Sequence, residues 1–256
     1  MKLFKYVSFD AARSILESQS IGFSQAKNFN DPFDTPIALS EEADNSVDAI
    51  FKSVAAAGKS HIWHENSGIL SLTRSFDNLL MWSHYADAHR GVVIEISAKT
   101  AGFTDESTNL IPAQFGRVIY SKNRDAHQYF SSFKDPVVVG STHHFVSSHY
   151  EKWQRMFLTK PLDWAYEEEV RVIKCINGIS SNNNINKSGS FNILNANQSN
   201  IYCYTLPFNS ITSVYIGARV PASYGKKLFK IDSRPSFYKF TLDDQAYRLK
   251  DQKINF

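Results

Sequence analysis

Short strand-like segments recur along the whole chain, and this pattern limits the fold more than any other feature. They are rich in β-branched and aromatic residues or alternate apolar with polar ones, and they lie at residues 3–7, 21–24, 68–73, 91–97, 117–120, 164–176, 201–206, 213–217 and 237–242. Apolar residues recur at helical spacing at residues 9–18, 47–57, 77–89 and 143–158. Many short strands interrupted by a few helices predict an α+β fold, with a mainly antiparallel β-sheet and flanking helices.

A single domain over residues 1–256 is expected. The chain has 256 residues and 43% of them are hydrophobic, which is enough to bury a core without a disulfide or a structural metal. A helical insertion is predicted at about residues 40–66. Residues 177–200 are rich in Asn, Ser and Gly, which predicts a flexible loop or hairpin arm inserted between strands.

The charge balance is mild. The chain has 28 Lys and Arg against 25 Asp and Glu, a net charge of +3, which is compatible with an anionic ligand. No polybasic patch marks a nucleic-acid surface. No stretch approaches the ~20 apolar residues of a membrane helix, and the first residues have no signal-peptide core. With only Cys175 and Cys203, the sequence predicts a soluble, reduced, cytoplasmic protein without a membrane partner.

Residues 164–171, Trp-Ala-Tyr-Glu-Glu-Glu-Val-Arg, carry charges inside an apolar stretch. On a strand, a period of two places Glu167, Glu169 and Arg171 on one face. In a cleft, repulsion between the two neighbouring carboxylates raises the pKa of one of them, while the guanidinium lowers the pKa of the other. One carboxylate could then accept a proton or bind a ribose hydroxyl while its partner stays ionised. The alternative is a solvated edge strand with a cross-strand ion pair of little energetic value.

Residues 78–91 combine a predicted helix with many polar and aromatic groups, and Gly91 is expected as its left-handed cap. The group comprises Trp82, Ser83, His84, Tyr85 and His89. His84 and His89 are five residues apart, so they do not share a helical face as zinc-binding histidines do. The alternative to a functional role is a core helix in which His84 and Tyr85 are hydrogen-bonded.

Residues 28–34 are dense in turn formers. Asn30 and Asp31 can close an Asx-turn that Pro32 stiffens. Such a rigid loop could present a polar group and the Phe33 ring to a ligand, or it could simply be a tight turn.

Several classes of site lack their motifs. The chain has no glycine-rich phosphate loop, no lipase-type nucleophile elbow and no plausible Cys–His pair. Its other histidines, among them His61, His64, His143 and His144, have no metal-ligand spacing. No metal is therefore expected.

The chain resembles a large bacterial family of unknown function. The resemblance runs from the first residue to about Gly217. It rests on residues 3–8, Phe23 with Ser24, the Phe-Asn-Asp-Pro-Phe of residues 29–33, the Leu-Leu-Met-Trp-Ser-His-Tyr-Ala of residues 79–86 with Gly91, and Lys160, Trp164, Glu167, Glu169 and Arg171.

More distantly, the order of elements resembles the ADP-ribosyltransferase superfamily, which implies a split sheet and NAD as the substrate. The resemblance implies that the catalytic carboxylate is Glu169, with Glu167 as the second choice. It places Lys5 where the superfamily has a first-strand His or Arg, and a lysine offers a point charge in place of a bidentate fork. The expected NAD-binding set is Lys5, Tyr6, Ser24, Asn30, Asp31, Phe33, Ser71, Thr73, Trp82, Ser83, His84, Tyr85 and Arg171.

The resulting hypothesis is an NAD-dependent ADP-ribosyltransferase or NAD glycohydrolase, in a toxin or anti-phage setting, whose acceptor is a protein or a nucleic acid. Glycosidic cleavage of NAD develops positive charge on the ribose, which a carboxylate stabilises. The alternative is a non-catalytic module that binds a nucleotide, a nucleic acid or a partner protein. A metal-dependent hydrolase or nuclease is a third possibility and would require a metal in the purified protein.

Overall fold

The computed structural model describes residues 1–34, 65–123, 142–176, 185–196 and 199–255. The expected helix at residues 47–57 and the first part of the arm, residues 177–184, lie outside them. Four α-helices are described: α1 (Phe9–Ser18), α2 (Leu79–Tyr85), α3 (Tyr150–Phe157) and α4 (Ala222–Ile231). The strands are β1 (Lys2–Val7), β2 (Ser20–Ser24), β3 (Ser67–Thr73), β4 (Val92–Ser97), β5 (Ile119–Ser121), β6 (Thr159–Pro161), β7 (Glu169–Cys175), β8 (Ile185–Asn186), β9 (Gly189–Ala196), β10 (Ser199–Thr205), β11 (Ile211–Ile216), β12 (Ser236–Leu242) and β13 (Leu249–Ile254).

An 11-stranded sheet organises the fold. Its order is β13-β12-β11-β4-β1-β3-β2-β10-β9-β8, and β7 pairs with β3 off this path. Within this sheet, the described strand pairs are antiparallel apart from β11 with β12, which run parallel and are connected by α4. A separate two-stranded sheet pairs β5 with β6. The predicted α+β class with a mainly antiparallel sheet is confirmed.

The sheet opens beside β3. Strand β7 pairs with β3 along its length, from Ser67 opposite Cys175 to Thr73 opposite Glu169. The other edge of β3 is shared by β1 and β2, and each meets it at one residue pair. These are Phe4 with Thr73 and Ser24 with Ile69. Because β1 remains fully paired with β4, the two parts of the sheet diverge between these two contacts.

Two helices pack beside this opening. Helix α2 places Met81 and Trp82 in an apolar cluster with Phe4 and Tyr6 of β1. Helix α3 buries Trp153, Met156 and Phe157 in a second cluster with Ile173 of β7. A third, larger cluster fills the space between the sheet, α1 and α4. The strands that diverge are therefore held by packing on both sides.

Helix α2 is shorter than the expected residues 77–89. Asn78 caps its start by accepting hydrogen bonds from the backbone N–H groups of Leu80 and Met81. It ends at Tyr85 because the backbone then turns left-handed at three successive residues, Asp87, Ala88 and His89. The prediction of Gly91 as the left-handed cap is wrong. That glycine is needed because a Cβ there would lie 2.2 Å from the Val7 carbonyl oxygen.

Other boundaries also differ from expectation. The predicted helix at residues 143–158 is a 3-10 turn, Ser147–His149, followed by α3. Within the predicted arm, residues 185–196 form the β8–β9 hairpin, which extends the sheet. The predicted last edge strand, β12, has β13 paired outside it.

Candidate functional site

Lys5 marks the place where β1 and β3 separate. One residue beyond the Phe4–Thr73 pair, its ammonium donates to the carbonyl oxygen of Ser71 at 2.9 Å. Opening a sheet leaves backbone groups without a strand partner, and a buried carbonyl needs a donor. The half-buried Lys5 side chain supplies that donor inside the opening.

A network of five buried charged side chains lies next to this position. Its members are at most 7% exposed and comprise Asp34, Lys160, Glu167, Glu169 and Arg171. We call it the ion network. Buried charges persist in proteins when they are paired and hydrogen-bonded.

Arg171 is the fixed centre of the ion network. Its Nε donates to Glu169 Oε1 at 2.9 Å and its Nη2 donates to Glu169 Oε2 at 3.1 Å, a bidentate arrangement. The same Nη2 donates to Asp34 Oδ1 at 2.7 Å, and Nη1 donates to the carbonyl oxygen of Phe157 at 2.8 Å. The Arg171 guanidinium therefore joins β7, the loop after β2 and the end of α3.

Lys160 connects all three carboxylates. Its ammonium lies 2.6 Å from Glu167 Oε2, 3.4 Å from Glu169 Oε2 and 3.5 Å from Asp34 Oδ2. It also lies 5.0 Å from the centre of the Trp164 ring, within the range of a cation–π contact.

Tyr85 brings α2 to the ion network. Its hydroxyl donates to Glu167 Oε1 at 2.5 Å, so both oxygens of this carboxylate have a partner. The Asn78 side chain fixes the other end of the helix by donating to the carbonyl oxygen of Tyr166 at 2.8 Å. Both ends of α2 are thus tied to the segment that precedes β7.

Burial and charge act in opposite directions on the acidic members. Burial disfavours ionisation of Glu169, but Arg171, Lys160 and the Ser71 hydroxyl outweigh it and lower its pKa to about 2. Burial and the bond to Glu167 both raise the pKa of Tyr85. Glu169 is therefore an anion at neutral pH, and Tyr85 is a neutral donor.

Lys5 is subject to the same competition. Burial lowers the pKa of its ammonium, while the negative charges of Glu169 and Glu167 raise it in part. Lys5 is therefore electrostatically coupled to both glutamates, although its hydrogen bond goes to the backbone.

The loop at residues 29–34 folds around one aspartate. Asp31 Oδ1 accepts from the backbone N–H of Phe33 at 2.9 Å, the expected Asx-turn. Its Oδ2 accepts from the Trp164 indole N–H at 2.7 Å. Asp34 at the end of the loop binds Arg171. The loop is thus anchored at two points, and Phe33 between them is 59% exposed.

The positions of the two glutamates correct the sequence interpretation. Residues Leu162–Glu167 form a 3-10 helix, Glu168 is left-handed with φ 46°, and β7 begins at Glu169. Glu167 therefore does not share a strand face with Glu169. The two carboxylates meet through Lys160, and neither lies on a solvated edge strand.

Some expected site residues lie apart from the ion network. Trp82 is fully buried, donates to the Phe76 carbonyl oxygen and packs against Tyr6, so its ring lies in the core. Ser83 faces His89, and Asn30 is exposed. Ser24 is paired opposite Ile69, whereas Thr73 lies beside the ion network because its pairing partner on β7 is Glu169.

Sequence reasoning missed three functional-site candidates. Asp34 and Lys160 belong to the ion network, and the Tyr120 hydroxyl accepts from the backbone N–H of Glu169 at 2.8 Å. Burial raises the pKa of Tyr120 to about 12. Lys160 is among the residues on which the family resemblance rests but was not assigned to the site, and that resemblance was the available signal. Nothing local connects Tyr120 to Glu169.

Neither a metal-ligand cluster nor a membrane-spanning helix is found in the described part of the chain. It contains no group of three or more His, Cys, Asp or Glu side chains arranged to hold a metal ion. None of its helices combines the length and apolar character needed to span a bilayer.

Comparison with known proteins finds a similarity over part of the chain that includes members of the ion network. No curated protein and no solved structure matches the chain. Residues 81–172 match the model of a family described as a protein of unknown function (DUF2971), and this span contains Lys160, Glu167, Glu169 and Arg171.

Proposed function

We propose that this protein cleaves the bond between nicotinamide and ribose in NAD and passes the ADP-ribosyl group to an acceptor or to water. The bond that breaks joins the ribose anomeric carbon to the ring nitrogen, and its electron pair leaves with neutral nicotinamide. The bond that forms joins that carbon to an oxygen or nitrogen atom of the acceptor, or to the oxygen of water. The attacking atom then loses a proton. The positive charge that develops on the ribose needs a nearby anion.

The observation that carries this proposal is the meeting of five elements at the sheet opening. Lys5 of β1, Ser71 of β3, Tyr85 of α2 and the two glutamates before and within β7 form one connected polar group. The superfamily resemblance assigns functional roles to the same positions. A split antiparallel sheet with a carboxylate beside the split is the arrangement that this resemblance implies.

The contacts favour Glu167 over Glu169 as the carboxylate that faces the substrate. Both oxygens of Glu169 are held by Arg171, which is itself fixed by four hydrogen bonds. Glu167 lies at the edge of the ion network, and its partner Tyr85 is half-exposed. Rotation of the Tyr85 hydroxyl would free one oxygen of Glu167 toward the developing charge. Glu169 then positions Lys160, which in turn holds Glu167.

The non-catalytic alternative is supported by a different observation. Glu167 and Glu169 are 3% and 4% exposed, and both are paired. A purely structural ion network would also look like this. A nucleotide could then bind through Lys5 and Tyr85 without being cleaved.

Nicotinamide release from NAD distinguishes these functions. We expect the wild-type protein to release nicotinamide, measured by chromatography, and Glu167→Gln to lower the rate by about 10²-fold or more. The matched control is Glu168→Gln, because Glu168 is the intervening carboxylate and its side chain is 52% exposed. With water as the acceptor, it should leave the rate unchanged.

Thermal unfolding with NAD completes the experiment. A rise in melting temperature without nicotinamide release, with protein, DNA and RNA offered as acceptors, would favour the binding module. The absence of both NAD binding and nicotinamide release would refute the proposal. Equal loss of activity in the Glu167 and Glu168 variants would refute the role of Glu167.

A further inference from the structure

Four aromatic rings form a continuous row beside Glu167. The ring centres of Trp164 and Tyr166 are 6.0 Å apart, those of Tyr166 and His84 are 6.3 Å apart, and those of His84 and Tyr85 are 6.3 Å apart. His84 is exposed and the other three are half-buried. We call this row the aromatic arc. It ends at the Tyr85 hydroxyl, which binds Glu167.

The two segments that carry the aromatic arc are acidic. Residues 77–87 and 162–168 contain no Lys or Arg, and their exposed carboxylates are Asp77, Asp87, Asp163 and Glu168. Only for Glu168 among these is a basic partner found in the described residues, since Arg74 lies 4.0 Å from it. The whole chain has a net charge of +3, so this acidic character is local.

One ring of the arc already binds a cation. The Lys160 ammonium lies 5.0 Å from the centre of the Trp164 ring, and its side chain is 7% exposed. The exposed parts of the arc are aromatic rings, which attract ammonium or guanidinium groups, and the same two segments carry the exposed carboxylates.

We propose that the aromatic arc binds basic side chains of a partner protein. Rings attract cations through their faces, and the surrounding carboxylates strengthen this attraction. A nucleic acid would also offer flat bases to stack on the rings, but its phosphates would lie against the acidic segments. The role of this partner as the acceptor rests on the proposed function. The binding itself does not.

The test is direct binding of a fluorescently labelled oligolysine, measured by polarisation without NAD. A single-stranded oligonucleotide of the same length is the competing probe. We expect oligolysine to bind, and His84→Ala and Tyr166→Ala each to weaken it about two- to fivefold. The matched control is Tyr247→Ala, since Tyr247 is a fully exposed tyrosine outside the arc. Asp163→Asn should also weaken binding, whereas Asp251→Asn, at an exposed position of β13, should not.

Three results would overturn the proposal. They are no binding of oligolysine, binding that the His84 and Tyr166 variants leave unchanged, and stronger binding of the oligonucleotide through the same rings. His84 and Tyr166 are at least partly exposed, so their variants should keep the wild-type melting temperature. Measuring it checks that both variants fold. Because NAD is absent, failure of this binding and failure of NAD cleavage are measured separately.

Discussion

Removal of the Arg171 charge should destabilise the protein more than any other single change in the ion network. Arg171→Met deletes two bonds to Glu169, one to Asp34 and one to the Phe157 carbonyl. Its side chain is 1% exposed, so water cannot replace these partners. Loss of one member of a buried ion pair costs about 3–5 kcal/mol, because the remaining charge is left uncompensated. For a domain of this size that corresponds to a fall in melting temperature of roughly 6–20 °C.

The free energy of unfolding lost in Arg171→Met should depend on pH in a defined direction. Glu169 ordinarily has a pKa of 4.5, and in the folded wild-type protein it is about 2. Its stabilising contribution is therefore complete above pH 4.5 and disappears between pH 4.5 and pH 2. Without Arg171, burial raises the pKa of Glu169, and the folded variant takes up a proton more readily. The difference in unfolding free energy between wild type and variant should be greatest at pH 7 and should narrow below about pH 5.

Urea denaturation at pH 7 and at about pH 3.5 measures both effects. Glu169→Gln should cost less in the Arg171→Met background than in the wild type, because the two side chains act as a pair. Arg13→Met is the matched control, since Arg13 pairs with Glu17 on the exposed face of α1, and it should leave the denaturation midpoint unchanged. A loss below about 1 kcal/mol, or an equal loss at both pH values, would refute the view that Arg171 compensates buried charge.

Two further predictions concern single contacts. Trp164→Phe keeps a ring over Lys160 but removes the N–H that binds the Asp31 carboxylate, so urea denaturation should show a loss of about 1.5–3 kcal/mol; an unchanged midpoint would contradict that bond. Burial lowers the pKa of Lys174 to about 8 from 10.5, with Asp105 opposing in part, so the unfolded state binds more protons between these values. Wild-type stability should therefore rise from pH 8 to pH 10 relative to Lys174→Met, and parallel pH profiles would refute the assignment.

Local patterns predicted the fold where local forces decide it. The sequence marks α1 through its Ser8 cap and marks the central strands through apolar runs, and the structure has both at nearly the predicted bounds. Helix α2 was overestimated because its spacing continues past Tyr85, whereas the chain must turn there to bring residue 92 beside Val7. Strand β13 was missed because its Lys-Asp-Gln-Lys sequence is typical of an exposed edge.

The sequence identified several residues of the candidate site but not how they are arranged. Glu167, Glu169 and Arg171 are indeed close together, but the period-two argument gave the wrong reason for Glu167. A left-handed residue at Glu168 interrupts the strand, and Lys160 then joins the two carboxylates. The contact of Lys160 with Glu169 joins β6 of the two-stranded sheet to β7 of the large sheet. Residue spacing in a single sequence does not reveal a contact between two sheets.

A charge count explains why Lys5 stands at the opening. The ion network has three carboxylates against two cations, so it has an excess of one negative charge, which Lys5 offsets. Arg171 is held by four hydrogen bonds, whereas Lys5 has its bond to the Ser71 carbonyl. A lysine is a flexible point charge, and it can turn toward a ligand without breaking a bidentate pair. Under the proposed function, Lys5 would therefore be a cation that turns toward a ligand, while Arg171 keeps Glu169 ionised and in place.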